Sequence, residues 1–295
     1  MEDLIIGILE QGFVFSIMAL GVYISYSILD FPDLSVDGTF PLGAAVAAVL
    51  LVAGVNPWLA CLAALACGVV AGIITGLLHV KLGITDLLCG ILMMTALYSI
   101  NLRIMGRSNI ALFDTATVFD ILPAHPWSTV AVVAVLALLL KTALNWFFKT
   151  RTGMLVRAVG DSPQLVTSLG QDLRLYKVVG LALGNGLVAL SGAVMAQVQG
   201  YADVNMGTGT IVMGLASVIL GLGLFRRSRW IMASTRVIIG AVLYRALVAL
   251  ALQLGLKPED LKLITAVLMV LILVLNRIRW GSWSRKGRRR EHAGA

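Results

Sequence analysis

Long apolar stretches alternate with short connections rich in glycine, polar and basic residues. The clear stretches are 4–29, 58–78, 88–105, 128–148, 178–199, 231–255 and 262–276. Most approach the roughly 20 residues that an α-helix needs to cross a hydrocarbon core of about 30 Å. Two further runs, 39–54 and 210–225, are shorter and begin among Gly, Thr and, in the first, Pro. About 16 residues rising about 1.5 Å each cover only ~24 Å, so these two predict helices too short to span unaided. The runs are continuous and rich in Leu, Ala and Val, without the alternation of outer-membrane strands. The pattern predicts an all-α polytopic membrane protein of about nine transmembrane segments. It forms one domain over 1–276, followed by a basic tail at 277–295. The first stretch starts MEDLII and carries Glu10, so it does not read as a signal peptide.

Composition sharpens this picture. Of 295 residues 59% are hydrophobic and 13% charged, and the mean hydropathy is +0.94. A soluble globule would carry that surplus as aggregating surface patches, which excludes a soluble fold. The net charge of +8 comes from 23 basic and 15 acidic residues. Basic residues gather in the tail (Arg277, Arg279, Arg285, Lys286, Arg288, Arg289, Arg290), at Lys149, Arg151, Arg157, Arg174 and Lys177, and at Arg226, Arg227 and Arg229. With Lys81 these are 16 of the 23, all on one side of a nine-span chain, which places that side in the cytoplasm and the N-terminus outside. The charge therefore reads as topology and contact with anionic lipid, not as a nucleic-acid surface.

Enzymatic chemistry has no visible seat. The chain lacks GxxxxGK[ST], so it does not bind nucleotide through a P-loop, and it lacks HExxH and GxSxG. Cys61, Cys67 and Cys89 lie in apolar stretches without CxxC spacing, which points to packing and not to a disulfide or metal site.

The most informative polar segment is RTGMLVRAVGDSPQLVTSLGQD, residues 151–172. Ser162 is suited to cap a helix, Pro163 to open it and Gly170 to stop it in the left-handed conformation, which predicts a helix over 163–169. Leu165, Val166 and Leu169 give it apolar faces between basic flanks. Such a helix fits a groove in a partner, or rests on the lipid surface.

Three motifs carry a family resemblance. The segment above contains Arg151-Thr152-Gly153 and Arg157-Ala158-x-Gly160-Asp161; Asp33-Leu34-Ser35-Val36-Asp37-Gly38 follows the first span; and Gly180, Gly192, Tyr201, Asp203, Met206 and Gly207 lead into the run to Gly221. Together they resemble ABC importer permeases of the branched-chain amino acid and ribose type. LSVDGTFPLGAAVAA and LFRRSRW resemble most the branch of tryptophan and tyrosine, or aromatic amino acid, importers. The resemblance implies a transmembrane permease whose loop 149–177 is gripped by ABC ATPase subunits, through Arg151, Gly153, Arg157, Gly160, Asp161, Ser162, Pro163, Leu165, Leu169 and Gly170. It also implies an extracytoplasmic solute-binding protein and a second copy of the chain. ATP and Mg would sit on the partner, with no cofactor in this chain.

An internal repeat points to a transport path independently. FPDLSVDGT at 31–39 and YADVNMGT at 201–208 align with one deletion, and each opens one of the two short runs. Five crossings lie between them, so the copies face opposite sides, as in inverted-repeat transporters. On this reading Asp33, Ser35, Asp37, Asp203, Asn205 and Thr208 line or gate the path; as helix caps they fit equally. Arg245 lies near the centre of its span and wants a partner, with Glu10 the best acidic candidate; it serves either a structural ion pair or the passage of a solute carboxylate. Gly68, Gly72 and Gly76 recur every four residues and fit close helix packing. Two other classes stay open: a secondary transporter using Glu10 or Asp86, and a polytopic scaffold without an ATPase.

Overall fold

A computed structural model describes residues 2–113, 115–121, 126–225 and 231–253, together with 263, 265–267, 269–271 and 274. The expected stretch 262–276 lies largely outside the described residues, as do the tail and Arg226, Arg227 and Arg229. Among the described residues seven helices are long and apolar enough to cross a membrane.

The first helix, α1 (Glu2–Val22), continues through a wide π-helical turn, Tyr23–Ile28. Next come α2 (Val36–Val52), α3 (Pro57–Leu82), α4 (Asp86–Met105) and, past strand β1 (Asn109–Ala111) and a short turn of helix at Val118–Ile121, α5 (Pro126–Phe147). Two short helices follow, α6 (Arg151–Asp161) and α7 (Pro163–Ser168), then the long α8 (Leu173–Gln199). Strand β2 (Tyr201–Asp203), a 3-10 turn (Val204–Gly207), α9 (Thr210–Leu224) and α10 (Ala233–Gln253) follow. The strands pair antiparallel with Ile110 opposite Ala202. The short run predicted at 210–225 corresponds to α9, whose 15 residues reach the length of a span only together with the turn before them.

Helix α8 forms the centre, with 78% of its apolar window buried against 22% for α5. Helices α1, α2 and α3 pack around it. α3 starts cleanly because Pro57 opens it and the Asn56 side chain accepts the Trp58 N–H at 2.9 Å. The row Gly68, Gly72 and Gly76 faces α8, where any side chain would collide with backbone at Asn185, Leu181 and Val178. The glycines therefore let two antiparallel helices meet backbone to backbone.

Registers along α8 and α1 fix the direction of the short helices. Ser35 and Thr39 meet Asn185, and Gly43 lies against Ala189, so α2 begins beside the thirteenth residue of α8 and runs with it. That point is about 18 Å from the start of α8. By contrast, Gly214 of α9 packs on Met18 and Val22 of α1, and Gly221 packs on Arg236 near the start of α10. Helix α9 thus runs from the middle toward the end of the bundle that holds α6 and α7. The two short helices start at a common central level and leave it in opposite directions, the arrangement expected of an inverted repeat.

Candidate coupling segment and central junction

At one end of the bundle, residues 150–170 form two helices instead of one. The Thr150 hydroxyl accepts the Gly153 N–H at 3.2 Å and starts α6. Gly153, Val156 and Val159 face inward. A side chain at Gly153 would collide with Phe147 and Phe148, and one at Gly160 with the Ile28 carbonyl. These glycines seat α6 directly on the ends of α5 and α1. The outward face carries Arg151, Arg157 and Asp161, with Arg157 5.5 Å from the Phe148 ring centroid.

The helix predicted at 163–169 is α7, ending at Ser168 with Leu169 at its cap. Gly170 takes the left-handed conformation, φ 69°, which stops the helix. Ser162 does not cap with its side chain; its carbonyl accepts the Leu165 N–H at 3.1 Å instead. Val166 is buried, whereas Pro163, Leu165 and Leu169 point away from the bundle, the two leucines 53% and 60% exposed. Helix α6 is the element that sequence reasoning missed. Its signal was Thr150 followed by an inward row at 153, 156 and 159–160, masked by the two glycines that make its packing possible.

At the centre, Asp33, Ser35, Thr39 and Asn185 form an enclosed network, each at most 1% exposed. Asn185 Nδ2 donates to Asp33 Oδ2 at 2.7 Å, while its Oδ1 accepts from the hydroxyls of Thr39 (2.8 Å) and Ser35 (3.2 Å). The Ser35 N–H donates to Asp33 Oδ1 at 2.9 Å. This satisfies a buried carboxylate that would otherwise be costly.

Asp37 does something different. It lies in the first turn of α2, but its carboxylate accepts the N–H groups of Gly209 (2.9 Å) and Ile211 (2.7 Å) and the Thr210 hydroxyl (3.0 Å). A residue of one short helix therefore caps the other, where free N–H groups and the helix dipole favour negative charge. Pro41 has no N–H to give the Asp37 carbonyl, and Gly207 packs against that carbonyl and the Pro41 ring, where a side chain would not fit.

The second copy repeats the local turn of the first. Asp203 Oδ1 accepts the Asn205 N–H at 2.7 Å, as Asp33 does from Ser35. Asp203 also meets Asn109 Nδ2 at 3.4 Å. Asn205 and Thr208 are exposed. The single deletion in the aligned repeat falls at Asp37, the residue of the first copy whose carboxylate caps the helix of the second.

Arg245 does not meet Glu10. Its guanidinium carbon lies 3.9 Å from the Phe15 ring centroid, and among the described residues the one side chain within salt-bridge distance of a carboxylate is His79, whose Nδ1 lies 2.9 Å from Asp86 Oδ1. Arg236 Nε donates to the Ile231 carbonyl at 2.9 Å. An apolar cavity of about 270 Å³ lies between α3, α5 and α8, lined by none of the junction residues.

The family model described as branched-chain amino acid transport system / permease component matches residues 4–274. The chain belongs to this permease family of ABC transport systems. The permease is 44% identical over 274 residues to a tyrosine transport system permease protein of Clostridioides difficile (strain R20291), covering 93% of this chain and 92% of that one. It is 34% identical to an uncharacterized protein of Rickettsia prowazekii (strain Madrid E), covering 92% and 97%. It is 24% identical to a galactofuranose transporter permease protein of Escherichia coli (strain K12), covering 84% and 72%. No solved structure matches the permease. Membership accounts for a multi-pass membrane protein that is the permease component of a transport system.

Proposed function

We propose that the permease carries an aromatic amino acid across the cytoplasmic membrane of a prokaryote, driven by separate ABC ATPase subunits that grip α6 and α7. The observation that carries this reading is the pair of leucines, Leu165 and Leu169, held outward on a helix whose neighbour rests on the backbone of α1 through Gly160. Exposed leucines beside basic residues suit a groove on a partner, and a rigid seat on α1 passes the partner's movement into the bundle. The substrate class follows the 44% identical relative named for tyrosine transport. ATP and Mg belong to the partner, the basic end faces the cytoplasm, an extracytoplasmic binding protein delivers the solute, and two copies of the chain serve the two ATPases.

The test is uptake of radiolabelled tyrosine by cells expressing the permease with its ATPase and binding protein. Leu165→Asp and Asp161→Lys are expected to lower uptake at least tenfold and to break co-purification with the ATPase, with membrane levels unchanged. Normal uptake in both variants would remove this segment from the coupling role. Uptake without any ATPase partner would turn the reading toward a secondary transporter.

A further inference from the structure

The positive ends of the two short helices are each met by an acid: Asp33 accepts the Ser35 N–H at the start of α2, and Asp37 caps α9. One cation at the same level is left over. Arg245 is the thirteenth residue of α10, about 18 Å along it. Its Nε is buried without a hydrogen-bond partner, and among the described residues no carboxylate lies within ion-pair distance. Instead the guanidinium covers the Phe15 ring, and that ring stacks on Phe40 at 5.8 Å with an interplanar angle of 10°. Phe40 is one turn from Asp37 on α2. The stack thus links Arg245 on α10, through Phe15 of α1, to the helix that caps α9.

An arginine at this depth is costly unless paired or facing water, and mid-membrane cations mark solute or ion routes. Its planar fork matches a carboxylate with two parallel hydrogen bonds. A ring beneath it supplies a weaker partner when no anion is present. Phe15 and Phe40 are enclosed, 6% and 1% exposed, while Arg245 itself is half-buried.

We infer that Arg245 is the binding group for the carboxylate of the carried solute, parked on Phe15 in the empty state. This rests on the amino acid reading above. It also predicts chemistry that the reading does not: aromatic solutes without a carboxylate do not engage the permease.

The test uses the full-length chain in nanodiscs and follows thermal unfolding with millimolar phenylalanine or phenethylamine. Phenylalanine is expected to raise the midpoint by about 2 °C or more, phenethylamine to leave it in place, and Arg245→Gln to abolish the phenylalanine shift. Equal shifts with the two compounds, no shift in the wild type, or a shift that survives Arg245→Gln would overturn the assignment. Conversion of a dimer to a monomer by Arg245→Gln would do the same, in favour of an acid from a second copy. Should Arg245→Gln fail to insert, Arg245→Lys decides: loss of the fork is expected to reduce the shift at least by half, and an unchanged shift overturns the proposal. Failure of the complete transporter to import phenylalanine or tyrosine would remove the substrate reading while leaving this binding result standing.

Discussion

The starts of α2 and α9 solve the same problem by unlike means. Both short helices begin in the interior, where free N–H groups have no water to meet them. The start of α2 is held by side chains of its own segment and by Asn185 of the central helix, all enclosed. The start of α9 borrows its carboxylate from α2, while its own repeat acid, Asp203, is taken up by a partly exposed turn next to the strand pair. One end is anchored to the bundle and the other is anchored to the first. Disturbing α2 therefore disturbs α9, and the reverse does not follow.

Substitutions can break this asymmetry in graded steps. Asn185→Leu removes the side-chain donor to Asp33 Oδ2 and is expected to cost about 2–3 kcal/mol, since it leaves that oxygen and the hydroxyls of Ser35 and Thr39 buried without their partner. Its readout is a collapse of membrane accumulation and of the thermal midpoint in detergent. Asp37→Ala removes the borrowed cap and is expected to cost about 1–2 kcal/mol. The protein should still accumulate while tyrosine uptake falls at least tenfold; unchanged uptake would show that the two helix starts act independently. Asp203→Ala, in the matching position of the second copy, opens only a local turn and is expected to cost about 0.5–1 kcal/mol. A loss from Asp203→Ala as large as that from Asn185→Leu would mean that the two starts are equivalent after all.

Much of this was legible in the residues. Apolar stretches located the spans, and the spacing from Asp33 to Thr39 and from Asp203 to Thr208 exposed the two short helices, because local hydrogen bonds from Asp to the second residue on leave a sequence signature. What escaped was long-range pairing. Nothing in the order of residues joins Asp37 to Ile211, 174 positions away, and opposite charge within a span made Glu10 a more natural partner for Arg245 than the ring of Phe15. Asn185 lies inside the apolar stretch 178–199, and a lone amide in the middle of a span is a signal of interhelical bonding. Helix α6 carries Gly153 and Gly160, whose low helix propensity weighs against it, whereas their lack of a side chain is what seats the helix on its neighbours.

The borrowed cap also has a consequence for biogenesis. Chains leave the ribosome from the N-terminus, so α2 emerges with Asp33 and Ser35 awaiting Asn185, which comes 152 residues after Asp33. By the time α9 appears, α8 has arrived and Asp37 is already in place to receive it. A nascent chain cut short before α8 would hold Asp33 with only its local Ser35 donor and Asp37 without its α9 partners, two acids at membrane depth lacking their long-range bonds.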